Sequence, residues 1–214
     1  MDTKIKIEKL KYSDRQSRVS YLYKQYKNFL TGSVLDIGCD DRYLKSLLPP
    51  DRKYLGIDIA GSPDVKIDLE KNQIPSKEKE FDTVICLDVL EHLDNLYEVF
   101  GSLVKASRKN IIISLPNCWG GFKSSFLKTK SPKFYGLPEN KPTDRHKWFF
   151  NTDDAVNFFE KMANRYNLKI DQLTLLTHES SFEAKLIALI LKIFPKRFYY
   201  NFFVNSVWVV FTKN

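Results

Sequence analysis

Asp36, Gly38, Asp58 and Asp68 are the residues whose types and spacing first suggest chemistry. Asp36 and Asp58 each close a short apolar run of strand length, and Asp68 lies in Ile67-Asp68-Leu69. Acids at the carboxyl ends of neighbouring parallel strands point into one crevice, where open α/β sheets bind ligands. A carboxylate there can accept hydrogen bonds from both hydroxyls of a ribose, and a glycine lets a loop pass close beneath a ligand. A second cluster comprises Asp88, Glu91 and His92, at i, i+3 and i+4, which predicts one shared face at the start of a helix. Pro116-Asn117 and then Arg145-His146, before Trp148-Phe149-Phe150, follow it. Imidazole beside carboxylate suits a general base working on an acceptor proton, or a hard divalent cation. The plainer alternative is that Glu91-His92 caps and packs a helix while His146 holds a loop.

Positioning these groups requires strands that alternate with helices. Val34–Ile37 reads as the first strand, Tyr54–Ile59 as the second and Val65–Leu69 as a short third. Phe81–Leu87 and Ile111–Leu115 are buried strands, and residues 89–104 between them carry a helical period. Tyr43–Leu48 opens a helix that Pro49-Pro50 stops, and Thr152 with Asp153-Asp154 starts another. Residues 1–31 read as a helical lead-in, residues 118–150 as an irregular loop on the substrate side. Leu168–Leu176 and Val207–Thr212 are the last strands, with residues 179–203 inserted between them. The expected fold is α/β: a single domain over residues 1–214 with a mainly parallel sheet and helices on both faces.

The order Asp36-x-Gly38, Asp58, Asp68, then Glu91-His92, Pro116-Asn117 and His146, resembles the class I S-adenosylmethionine (SAM)-dependent methyltransferases. The likeness spans roughly residues 30–178 and extends to the branch containing ubiquinone-pathway O-methyltransferases and methionine-biosynthesis methyltransferase-like proteins. It implies a Rossmann-like seven-stranded sheet whose last strand runs antiparallel, as a hairpin at the sheet edge. It implies SAM as cofactor, with Asp36 at the amino group of the methionine part, Asp58 on the ribose and Asp68 near the adenine amino group. Gly38, Cys39, Ile59, Leu69 and Leu87 complete the implied cofactor contacts, and His92, His146 and Glu91 the catalytic side. The small-RNA 3′-end 2′-O-methyltransferases, where two acids and two histidines hold a divalent metal, are also similar. Asp88, Glu91, His92 and His146 could occupy that pattern, although no metal is assigned here. The chain departs from the family at the loop acid-x-Gly-x-Gly-x-Gly, which reads Asp36-Ile37-Gly38-Cys39-Asp40-Asp41-Arg42. Two glycines are replaced, or one is replaced and one deleted. A side chain at Asp40 narrows the room for SAM unless its carboxylate turns outward. A module that binds partners without turnover is therefore the non-enzymatic rival.

Charge separates other readings. A nicotinamide dehydrogenase needs glycines that admit a pyrophosphate, and Asp40-Asp41 would repel one. SAM carries a sulfonium and no phosphate, so acidic surroundings suit it. The net charge of +8 is uneven: residues 33–104 hold 8 basic against 15 acidic side chains, residues 105–147 hold 10 against 2. A basic segment after an acidic cofactor half favours an anionic, small-molecule or glycan-type acceptor. Lysines interleaved with Phe134, Tyr135, Trp148, Phe149 and Phe150 would also suit a nucleotide, a less favoured partner. Phe182–Phe194 could lie at a membrane surface, although packing on the sheet edge is the commoner role for such a stretch. Cys39, Cys86 and Cys118 are an odd number and read as reduced thiols of a cytoplasmic protein. The sequence leaves the oligomeric state open.

Overall fold

A computed structural model describes residues 5–120, 145–177 and 196–213. In chain order they form β1 (Ile5–Lys9), α1 (Arg15–Gln25), β2 (Val34–Ile37), α2 (Tyr43–Leu47), β3 (Tyr54–Asp58) and β4 (Val65–Lys66). Then come β5 (Phe81–Leu87), α3 (Leu96–Ala106), β6 (Ser107–Pro116), α4 (Thr152–Tyr166), β7 (Leu168–Thr177), α5 (Lys196–Phe203) and β8 (Val204–Lys213). The strands make one sheet in the order β1-β7-β8-β6-β5-β2-β3-β4. Parallel pairing runs from β6 through β5 and β2 to β4, so the carboxyl ends of these strands share one edge.

The mainly parallel α/β sheet is thus as expected, with eight strands rather than seven. The additional strand is β1, which pairs with β7 in parallel, Ile5 opposite Leu173. β8 is antiparallel to both β6 and β7, so the reversed strand lies inside the sheet and not at its edge. β4 is only two residues long, shorter than the Val65–Leu69 run, because Asp68 turns the chain by accepting from the Glu70 amide at 3.0 Å. The interior basic residues and aromatics of 121–144, and the Phe182–Phe194 stretch, lie outside the described residues.

Alternation along the strands divides the core. Ile111, Ile113 and Leu115 of β6 and Val207, Val209 and Phe211 of β8 face α3 and α4. Their neighbours Ile112, Trp208 and Val210 face α1 and α2. α1 starts with a capping box, Asp14 accepting from the Ser17 amide at 2.8 Å, and buries Tyr21 and Leu22. Tyr26 stacks on the indole of Trp208, centroids 5.3 Å apart, which seats the lead-in helix on β8. Among the described residues, no helix is long and apolar enough to cross a membrane.

Asp82, on β5, ties the opposite edge of the sheet together. Its carboxylate accepts from the Ser33 amide and hydroxyl, both at 3.0 Å, and faces Arg108 at 3.1 Å. The Ser33 amide bond, with the hydroxyl and the guanidinium, holds its pKa down to about 2. This lowered acid contributes stability above pH ~4, and the contribution is lost as pH falls through about 2. Asp82→Asn is expected to lower the unfolding free energy at pH 7 by about 2 kcal/mol. Urea titration reads this directly, and an unchanged midpoint would show that the network contributes nothing.

Candidate active site

The first loop keeps an unusual backbone without the usual glycines. Gly38, Asp40 and Arg42 all take positive φ, at +78°, +51° and +58°. These are the three positions at which the family resemblance places glycine, so the sequence replaces two glycines without deleting one. Left-handed backbone costs a non-glycine residue on the order of 1 kcal/mol, least for Asp or Asn. Specific bonds offset that cost. The Asp40 amide donates to Asp58 Oδ2 at 2.8 Å, and the Asp40 carbonyl accepts from Ser62 at 3.1 Å. Arg42 is held by Asp64, whose second oxygen accepts from the Gly56 amide at 2.9 Å. The Asp40 carboxylate turns to Arg15 of α1 at 3.2 Å. Gly38 is required by the protein itself: a Cβ there would sit 2.3 Å from Val89 Cγ2. The collision expected from a ligand is thus already imposed by the loop after β5.

A small crevice, with room of about 40 Å³, opens beside this loop, lined among others by Arg18, Asp36, Gly38, Cys39, Asp40 and Leu87. Asp36 is buried and accepts from the Tyr54 hydroxyl at 2.7 Å. Burial pushes its pKa up to about 6, against the pull of Tyr54 and Arg18 and with the help of Asp58. Burial, reinforced by the carboxylates of Asp36, Asp58 and Asp64, raises the Cys39 thiol to about 12, so it packs and does not react. Asp58, Ile59, Asp68 and Leu69 lie outside the cavity wall. Asp58 accepts from the amides of Asp40 and Ala60, and a carboxylate with two such bonds retains capacity for more. Ile59 is exposed, Leu69 is buried, and the Asp68 carboxylate pairs with Lys71.

The acceptor side departs from the expected helix. Asp88 has φ +51°, and a short 3-10 turn at Leu90–His92 precedes α3. Asp88 therefore does not share a helical face with Glu91 and His92. Its carboxylate accepts from Ser114 Oγ at 2.5 Å and forms an ion pair with Arg18. Glu91 is buried, and its carbonyl accepts from the amides of Lys147 and Trp148 at 2.8 and 3.2 Å. Trp148 also donates from its indole to the Leu93 carbonyl at 2.7 Å. These bonds lay residues 145–150 across the loop after β5 and bring His146 to His92, ring centroids 4.6 Å apart and edge to face. His92 Nδ1 lies 3.1 Å from the Arg145 carbonyl, and its Nε2 lies 3.8 Å from Glu91 Oε1. His146 Nδ1 is 3.7 Å from Cys118 Sγ. One ligand atom from each of Glu91, His92 and His146 falls within 4.8 Å of the others. A magnesium ion would need them drawn to within about 4 Å. Asn117 serves a different end: its amide donates to the carbonyls of Asn201 and Val204, docking α5.

Residues 11–173 match the family model described as a methyltransferase domain. The chain belongs to the methyltransferase family. Its fold agrees with solved members. A SAM-dependent methyltransferase from Archaeoglobus fulgidus superposes with TM-score 0.61 at 18% identity, covering 94% of this chain and 95% of that one. The methyltransferase domain of bacterial CtHen1-C gives 0.57 at 18% identity, covering 92% and 97%. Magnesium protoporphyrin IX methyltransferase from Synechocystis PCC 6803 gives 0.52 at 20% identity, covering 92% and 81%. No curated protein matches the sequence. The methyltransferase's own residues suit SAM: a buried carboxylate for its ammonium, Asp36, and a left-handed loop beside the crevice. The sequence reading did not single out Arg18, which the structure places on the crevice wall and pairs with Asp88. Its one audible signal was a cation on the lead-in helix, indistinguishable there from a solvated one.

Proposed function

We propose that this SAM-dependent methyltransferase methylates a hydroxyl oxygen of a small acceptor, anionic or linked to a sugar or lipid. The observation that carries this reading is the orientation of His92. A ring nitrogen facing a carbonyl must be a protonated one, so Nδ1 donates to Arg145, and in the neutral ring Nε2 carries the lone pair. Nε2 lies beside the buried Glu91 carboxylate, which stabilises the imidazolium formed when a hydroxyl proton is taken. His146, edge-on to His92, forms the opposite wall of the acceptor space. Asp36, Gly38, Cys39 and Leu87 form the donor wall, with Asp58, Ile59, Asp68 and Leu69 extending it toward the nucleoside. Bound SAM supplies an electrophilic methyl group; the protein aligns the acceptor with it and removes one proton.

Metal-assisted transfer to a ribose hydroxyl is the second reading, favoured by the convergence of Glu91, His92 and His146. Incubating the enzyme with isotopically labelled SAM and a panel of hydroxy acids, phenols, sugar phosphates and short RNA, with and without a chelator, separates them. Chelator-resistant labelling of a small hydroxyl compound is the expected result. Labelling confined to RNA and abolished by the chelator would transfer the assignment to the second reading.

A further inference from the structure

The two edges of the sheet differ. β4 is two residues long, whereas β1 runs for five and, among the described residues, pairs on one side only, with β7. The Leu10 amide donates to the Thr177 carbonyl at 2.7 Å, and the Thr177 hydroxyl donates to the Glu8 carbonyl at 3.2 Å. Alternate residues of a strand bond to opposite sides, so Lys6 and Glu8 turn their main chain toward β7 and Ile5 and Ile7 turn theirs outward. The Ile5 and Ile7 side chains are 46% and 50% exposed, beside the buried Leu173 and Leu175 of β7. Lys6 and Glu8 lie on the other face and pair with each other, and Glu8 also accepts from the Tyr21 hydroxyl at 2.9 Å. Exposed edges are commonly guarded by lysines, which repel a second copy of the same strand. Here Lys6 is followed two residues later, on the same face, by an acid.

We infer that β1 is a homodimerisation edge: two copies of this chain join through it, antiparallel, with Ile7 opposite Ile7 at a two-fold axis. An axis normal to the sheet makes the paired strands antiparallel and the contact self-complementary. Outward main chain must meet outward main chain, so the axis falls at a residue and not between two. At Lys6 it would set the two Lys6 side chains against each other, and at Glu8 the two acids. Only Ile7 at the axis engages all five residues and sets Lys6 of each copy against Glu8 of the other. The two Ile7 side chains then meet, and Ile5 of each copy lies along the apolar stem of Lys9 in the other. β7, β8 and β6 separate this edge from β5 and β2, so both copies keep their crevice open. The pairing is independent of the acceptor chemistry.

Five residues from each copy make a small interface, so a dissociation constant of roughly 10 µM to 1 mM is expected. Sedimentation equilibrium of the full chain across that concentration range reads it. Lys6→Glu and Glu8→Lys each turn the opposite-charge contacts into like-charge ones, and each variant alone should self-associate roughly tenfold more weakly. Mixed in equal amounts, the two variants should associate with about wild-type strength, because their charges again complement across the axis. Glu8 also holds Tyr21, so a cooperative melt establishes that the Glu8→Lys protein is folded. Ile7→Pro is the second probe: it removes an outward amide without touching the bonds to β7, and should leave a monomer. A wild-type protein that stays monomeric at about 1 mM would overturn the pairing and leave the edge to another chain or to none. A dimer that survives Lys6→Glu and Ile7→Pro unchanged would place the interface elsewhere, and variants that fail to associate when mixed would refute the register.

Discussion

His92→Asn is expected to lower turnover by about 10²- to 10⁴-fold while leaving donor affinity unchanged, the range for loss of a general base. Asparagine is chosen because its Nδ2 can still donate to the Arg145 carbonyl, preserving the 3.1 Å contact that joins the loop after β5 to residues 145–150. Only the lone pair at the Nε2 position disappears. Single-turnover measurement with saturating SAM isolates the chemical step from product release. His146→Asn provides the comparison, because His146 lies against Cys118 and the edge of the His92 ring. A His92→Asn enzyme retaining half of wild-type turnover would remove His92 from the chemistry and leave it a packing residue.

Asp36→Asn is expected to abolish useful SAM affinity and, at the same time, to stabilise the ligand-free protein. The Asp36 pKa is raised from 3.8 to about 6, mainly by burial. A raised acid favours the fold while protonated; that contribution is complete below pH ~4 and is lost as pH rises through about 6. At pH 7 the ionised carboxylate is therefore a burden of about 3 kcal/mol, which a neutral amide would relieve. The carboxamide oxygen of the variant would still accept from the Tyr54 hydroxyl, so the 2.7 Å bond need not be lost. The ionised form is the one an ammonium requires, so wild-type SAM affinity should fall about tenfold per pH unit below 6. Calorimetric melting at pH 7.5 and titrations between pH 5 and 8 check the two halves separately. A destabilised variant would refute the burial argument, and affinity flat across that range would refute the ionisation argument.

These two substitutions fall at residues that the sequence already exposed, and the reason is local. Phe81–Leu87 is buried at all seven positions, so an unbroken apolar run marked β5 and the site beyond it. Val34–Ile37 did the same for Asp36. β1 was illegible because Ile-Lys-Ile-Glu-Lys carries little apolar signal, with Ile5 and Ile7 about half exposed, and its partner β7 lies more than 160 residues away. Asp88 misled for the opposite reason. The spacing to Glu91 and His92 fits a helix, but Ser114 and Arg18 capture the Asp88 carboxylate and hold the backbone left-handed. Positive φ at Asp40 and Arg42 was likewise hidden, because residue type alone says glycine is missing and not that its conformation survives.

The placement of β8 between β6 and β7 has a consequence for synthesis. The ribosome delivers β8 after all the other strands, yet β7 touches the sheet only through it, and β1 only through β7. Until it emerges, the nascent chain carries two unjoined blocks: β4, β3, β2, β5 and β6 on one side, β1 with β7 on the other. The apolar edge of β6 is then open until β8 arrives, an unpaired edge of the kind prone to association. The lead-in helix α1, which rests on Trp208 of that strand, gains its seat only once β8 is in place.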